Sequence, residues 1–151
     1  MKPLIEKFES VRFSASLPLP PSINAYYRSY TGNGRHCVVL SSEARAYHRA
    51  IAAAVTGSKK MLGPVFLAAW IHPRNRRVID LDNRIKPLLD ALTRVGLWED
   101  DSQIWQIQLF RMNPVPGGRC CVYADNIPEA HPIVNFDALG RDLGFDEPNV
   151  Q

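Results

Sequence analysis

The sequence predicts an α+β fold: a single compact domain in which a mixed β-sheet of about four strands packs with two main helices. Three observations predict it. Segments with strand alternation and segments with a 3.6-residue apolar stripe follow one another with no internal repeat. A chain of 151 residues with 46% hydrophobic and 22% charged residues can bury one core without covalent staples. No apolar run approaches the roughly 20 residues that span a bilayer. The domain is expected to occupy residues 1–124. Residues 125–151 are expected to form a tail, surface-packed or partly disordered, because Pro, Asp and Glu recur there with little periodicity.

Taken in order, Val11–Leu17 alternates as a strand, and Pro18, Pro20 and Pro21 stop it. Ser22–Arg35 is expected to be a long loop with Gly32-Asn33-Gly34 at its tip, and His36–Leu40 a short strand. Ser41 and Ser42 are N-cap candidates for a helix whose stripe is Ala44, Tyr47, His48, Ile51 and Val55, ended by Gly57. Pro64–Ile71 is apolar throughout and predicts a buried strand, followed by the basic loop Pro73–Arg77. Asp80 and Asp82 are then placed at or just past a strand end. The next helix carries Leu88, Leu89, Leu92 and Val95 and closes at Gly96. Asp82 has the character of an N-cap, but a start there buries Pro87 five positions inside; a start nearer Ile85 puts Pro87 in the first turn. Gln103–Arg111 alternates with Trp105, Ile107 and Leu109 on one face. A Pro/Gly turn then leads into the strand Arg119–Ala124. Trp98 and Trp105 are both expected in the core.

Charge and cysteine content narrow the setting. Residues 1–79 hold 12 Lys/Arg against 3 Glu, whereas residues 80–151 hold 6 Lys/Arg against 12 Asp/Glu. A basic half beside an acidic pocket suits an enzyme that acts on a polyanion. Cys37, Cys120 and Cys121 have no zinc-ligand spacing, and an odd count fits reduced thiols in a cytoplasmic protein. The adjacent pair on a strand points to opposite faces. The N-terminal residues include acids and have no apolar signal core, which argues against secretion.

The chemistry concentrates where six acidic residues fall within 22 positions: Asp80, Asp82, Asp90, Glu99, Asp100 and Asp101. Clustered carboxylates repel one another, and a divalent cation relieves that repulsion. On an extended chain Asp80 and Asp82 project to one face with Cα atoms roughly 6.5 Å apart, a spacing that can bracket one Mg²⁺. Asp101 returns after one helix as a third ligand, with Asp100 competing for the assignment. Lys86, four residues past Asp82, is placed to contact a phosphate or a leaving oxygen, and Asp90 to pair with it along the helix. Arg74, Arg76 and Arg77 precede the cluster as phosphate contacts. Arg28 and Arg35 interleave with Tyr26, Tyr27 and Tyr30, whose rings can stack on unpaired bases. Among the histidines only His72, beside Pro73 at a strand end, has a suggestive position.

Together, Leu17-Pro18-Leu19-Pro20-Pro21-Ser22-Ile23-Asn24-Ala25-Tyr26-Tyr27-Arg28, Ser41-Ser42-Glu43-Ala44-Arg45-Ala46-Tyr47, the run from Asp80-Leu81-Asp82-Asn83-Arg84-Ile85-Lys86 to Leu92, and Gly96-Leu97-Trp98-Glu99-Asp100-Asp101-Ser102-Gln103 resemble the RusA-type Holliday junction resolvases. That family comprises small, homodimeric, Mg²⁺-dependent endodeoxyribonucleases often found in prophages. The resemblance implies a RusA-like fold, a metal site of Asp80, Asp82 and Asp101, Lys86 as the essential lysine, and Mg²⁺ (with Mn²⁺ as substitute). It implies branched DNA as partner and no membrane. Asn24, Tyr27, Arg28, Arg35, Arg74, Arg76 and Arg77 are the candidate DNA contacts. Two rivals stand beside this reading: a nuclease preferring flaps or forks, and a catalytically inactive DNA-binding phage protein.

Overall fold

In the computed structural model the described residues are 12–127. They form β1 (Arg12–Leu17), α1 (Ile23–Tyr26), β2 (Tyr27–Gly32), β3 (Arg35–Leu40), α2 (Ser42–Val55), β4 (Val65–His72), α3 (Asp82–Arg94), a 3₁₀ turn (Asp101–Gln103), β5 (Ile104–Arg111) and β6 (Arg119–Asn126). Strands β1, β6, β4 and β5 make a four-stranded mixed sheet in that order, and β2 and β3 pair separately. Only β4 and β5 run parallel, and α3 is the helix that connects them.

Burial on both faces explains why β4 is apolar without alternation. Val65, Leu67, Ala69 and Ile71 face a core that includes Tyr47, Ile51 and Val55 of α2 and Leu88, Ala91 and Leu92 of α3. Phe66, Ala68 and Trp70 face a second cluster with Cys121 and Tyr123 of β6. Cys120 and Cys121 therefore do point to opposite faces, and neither is in a disulfide among the described residues. Helix α2 begins as expected: the Ser41 hydroxyl accepts from the Ala44 amide at 3.0 Å.

Four expectations are corrected. The segment 22–35 is not a long loop. A short helix leads into a hairpin in which Tyr27 pairs with Leu40 and Gly32 with Arg35. Its turn has positive φ at Asn33 (51°) and Gly34 (71°), the two-residue turn that matches strand twist. Helix α3 starts at Asp82 rather than near Ile85, so Pro87 lies inside it. The start is a tight one, with the Arg84 amide donating to the Leu81 carbonyl at 3.0 Å. The Pro87 ring is buried with Leu88, Leu89, Ala91 and Leu92, and this apolar contact offsets the missing donor.

The other two concern the last strands. Trp105 is not in the core; it is 66% exposed, on the edge strand β5, where the pairing register shifts between Val65 and Phe66. Strand β6 continues past Ala124 through Asn126. Asp125 is buried there, accepting from the Arg12 guanidinium at 3.0 Å and from the Tyr123 hydroxyl at 3.1 Å. The remainder of the expected tail, 128–151, lies outside the described residues, as do residues 1–11 and His131.

Candidate active site

The acidic stretch divides into two structural pieces. The first is the turn into α3. Strand β4 ends at His72, so Asp80 and Asp82 do not sit at a strand end, and Leu81 between them has helical backbone angles (φ −65°, ψ −39°). The extended-chain spacing expected for the pair is therefore absent. Both carboxylates are nonetheless solvent-facing, because Ile79, Leu81 and Ile85 turn inward to pack on the core. Asp80 accepts from the Asn83 side-chain amide at 3.2 Å. Asp82 stands in the first turn of α3, where the helix dipole favours a negative charge. Arg84 fixes the same turn by donating to the Pro20 carbonyl at 2.6 Å; burial, with Arg74 nearby, lowers its pKa.

The second piece is the turn after α3. Val95 and Gly96 end the helix, Gly96 with φ 81°, and the chain descends into Leu97 and Trp98, both buried. The Trp98 indole donates to the Thr93 hydroxyl at 2.6 Å. Asp100 then caps the 3₁₀ turn, accepting from the Ser102 amide at 2.8 Å; the Ser102 hydroxyl, followed by that amide, lowers its pKa. The Gln103 side chain accepts from the Glu99 amide (2.8 Å) and donates to the Gly63 carbonyl (2.9 Å), clamping the turn to the segment before β4. Glu99 itself pairs with Lys60. Of the three closing acids, Asp101 is the one within 4 Å of the Lys86 ammonium on α3.

Lys86 joins the two pieces. Its ammonium donates to Asp90 at 2.6 Å and to Asp101 at 3.5 Å. The Asp90 bond is the main cause of a raised Lys86 pKa, with Asp101 adding to it. Asp90, Asp100 and Asp101 line a cleft of about 470 Å³ with Tyr26, Tyr27, His48 and Arg94. Inside it the Tyr26 hydroxyl and His48 Nε2 are 2.6 Å apart. Burial pushes the Tyr26 pKa up to about 12 and, with Arg94, lowers that of His48.

Of the candidate DNA contacts, the structure brings Tyr27 to the Asp101 cleft. Strand alternation puts Arg28, Tyr30 and Arg35 on one face of the hairpin and Tyr27 on the other. Tyr27 and Tyr30 are 46% and 54% exposed, whereas Tyr26 is packed beneath the hairpin. Asn24, Arg28, Arg35, Arg74, Arg76 and Arg77 are all exposed, the last three on the loop leading to Asp80. Arg77 takes part in an Asx turn, its amide donating to the Asn75 side chain at 3.0 Å. His72 is a core residue: it is fully buried, with Nδ1 3.0 Å from the Asn113 carbonyl.

Three carboxylates with no sulfur or imidazole among them form an oxygen-only donor set, which suits a hard divalent cation that keeps part of its water shell. Among the described residues, no three potential ligands stand close enough to hold an ion as they are arranged. Lys86 occupies the side of Asp101 that faces α3. The donor set thus fits such a cation in chemistry, and Lys86 stands 3.5 Å from Asp101.

Comparison with known proteins identifies the class. Residues 18–123 match the family described as Endodeoxyribonuclease RusA. The crossover junction endodeoxyribonuclease RusA of Enterobacteria phage 82 is 37% identical over 110 residues, covering 71% of this chain and 88% of that protein. The protein of the same name from Escherichia coli K12 is 36% identical over the same extent, and that of E. coli O139:H28 is 34% identical. This chain is an endodeoxyribonuclease. It belongs to the RusA family.

Proposed function

We propose that this endonuclease resolves four-way DNA junctions in recombination and repair, cutting two opposed strands symmetrically with Mg²⁺ (or Mn²⁺) held by Asp80, Asp82 and Asp101. The observation that carries the reading is the meeting of Lys86 from α3 with Asp101 from the following turn, 3.5 Å apart, on the helix whose first turn holds the exposed Asp82. The family match over residues 18–123 includes these groups, and the relatives named above are called crossover junction endodeoxyribonucleases.

A divalent cation bound there supplies charge neutralisation at the scissile phosphate and a water made nucleophilic at neutral pH. The protein's own groups do the rest. Asp80, Asp82 and Asp101 supply the binding charge. Lys86 holds a phosphate oxygen or the leaving 3′ oxygen, and its raised pKa keeps it cationic throughout the working range. Arg74, Arg76 and Arg77 hold flanking phosphates, and Asn24, Arg28, Arg35 and Tyr27 contact the branch. A four-way junction has two-fold symmetry, so two copies of the chain related by a two-fold axis present one site to each of two strands.

A Mg²⁺-dependent cleavage assay on a mobile four-way junction, mapped to the nucleotide and run beside forks and duplex, tests this reading. Paired nicks on opposed strands are expected, with little cutting of the other substrates. Asp82→Asn should lower cleavage by at least about 10³-fold while junction binding is kept or tightened, since one repulsive charge is removed. Native-rate cleavage by Asp82→Asn would refute the assignment.

A further inference from the structure

We infer that Asp90 is a positioning residue: by drawing the Lys86 ammonium toward itself, it limits how strongly Lys86 occupies Asp101 and so keeps that carboxylate accessible to a divalent cation. The inference rests on the metal reading of Asp80, Asp82 and Asp101 given above. One ammonium faces two carboxylates at unequal distances, 2.6 Å from Asp90 and 3.5 Å from Asp101. The shorter contact is within the range of a strong charge-assisted hydrogen bond, and the longer is at the limit of one. Asp90 is also the less exposed partner, its side chain 23% accessible against 42% for Asp101, so water and salt screen its attraction less.

Helical spacing fixes Asp90 with respect to Lys86, because residues four apart on α3 share a face. Asp101 comes from a separate turn held by its own bonds, through Asp100 to Ser102 and Gln103 to Gly63. The two carboxylates therefore compete for one cation from independently anchored positions. With the Asp90 carboxylate in place, Lys86 is held mainly on its own helix. With it replaced by an amide, the only other carboxylate that Lys86 touches among the described residues is Asp101. The ammonium then shifts onto the very group a divalent ion needs, and both the lost ligand charge and cation–cation repulsion weaken metal binding. This accounts for an acidic residue on α3 that is not itself among the metal-site carboxylates.

The test is a double-mutant cycle on Mn²⁺ affinity of the full chain without DNA, with free Mn²⁺ followed by electron paramagnetic resonance. Asp90→Asn should weaken binding about tenfold and Lys86→Gln should strengthen it. In the Lys86→Gln background, Asp90→Asn should change affinity less than about twofold, because no ammonium remains to relocate. Asp90→Glu, which keeps the carboxylate, should restore affinity close to wild type.

Equal weakening by Asp90→Asn in both backgrounds would show that Asp90 acts through its own charge. That overturns the inference while leaving the metal site standing. Failure of Asp90→Glu to restore affinity would overturn it as well. If the wild-type chain binds no Mn²⁺, and Asp80→Asn and Asp82→Asn change nothing, the metal reading itself falls, and this inference with it.

Discussion

The sheet-and-helix body and the β2–β3 hairpin solve opposite problems within one short chain. In the body, β4 is buried along its whole length and α3 lays Leu88, Ala91 and Leu92 against it. In the hairpin no residue is fully buried, and Tyr30, Val38 and Val39 stay exposed. A strand pair with so little burial has little independent stability, and it is tied back chiefly through the body's α1 and α2. The Tyr26 carbonyl accepts from the Ser41 amide at 2.9 Å, and the Tyr26 ring packs beside His48. The body sets the relative positions of Lys86 and Asp101 to within a hydrogen bond. The hairpin presents exposed rings and guanidinium groups. Fixed geometry and exposed surface thus fall to different elements.

The largest test of that division is Leu92→Ala. Leu92, on the core face of α3, is completely buried, and removing its side chain should cost about 2–5 kcal/mol in unfolding free energy, read by urea titration. Because the same helix carries Lys86 and leads into the Asp101 turn, cleavage should fall together with stability. A loss of stability with cleavage untouched at a temperature where the variant is folded would mean that α3 packing does not set the site.

Tyr30→Ala combined with Arg35→Ala probes the other half. Both side chains are exposed, so unfolding free energy should move by less than about 0.5 kcal/mol. Junction affinity should fall roughly tenfold, through one lost stacking ring and one lost phosphate contact, and the salt dependence should become shallower by about one unit in log–log slope. A stability loss comparable to that of Leu92→Ala would make the hairpin part of the body after all.

The difference between body and hairpin also decides what was legible in the sequence. Strand β4 and helix α2 are readable because burial imposes a pattern: an unbroken apolar run in one, and Ser41 followed by Ala44, Tyr47, Ile51 and Val55 in the other. The hairpin has no buried face and leaves no alternation. Its one strong signal was Asn33-Gly34, whose positive φ values mark a tight turn rather than the tip of a long loop. The start of α3 was misplaced because Pro87 argues for a later beginning, and only tertiary burial of its ring outweighs that. Alternation points Trp105 to the core because it does not say which strand lies at a sheet edge. In the candidate site, the sequence offers residue types but not their geometry. Asp100 and Gln103 carry a capping pattern three residues apart, which would have released Asp101 from competition with Asp100. The contact of Lys86 with Asp101 depends on how a turn returns after thirteen helical residues, and no local pattern encodes it.

The smallest predicted effect lies where hairpin and body meet. His48 sits between the Tyr26 hydroxyl and α3, and the charged groups facing it are Arg94, which disfavours its cationic form, and Asp90, which favours it. Burial and Arg94 outweigh Asp90, so the folded pKa lies below the ordinary value of 6.5. As pH falls, the unfolded chain takes up the proton first. His48 therefore contributes its full stabilisation above about pH 6.5, and that contribution is lost as pH drops through the lower folded value. In the protonated ring both nitrogens carry a proton, so the buried Tyr26 hydroxyl can only accept from Nε2. Thermal melts should accordingly show His48→Gln to be less pH-dependent than wild type between pH 7.5 and 5.5, by about 2 °C or less in Tm. Identical slopes in the two proteins would mean that the seam between hairpin and body does not titrate. A steeper slope in His48→Gln would reverse the sign and place the charged form of His48 in the folded state.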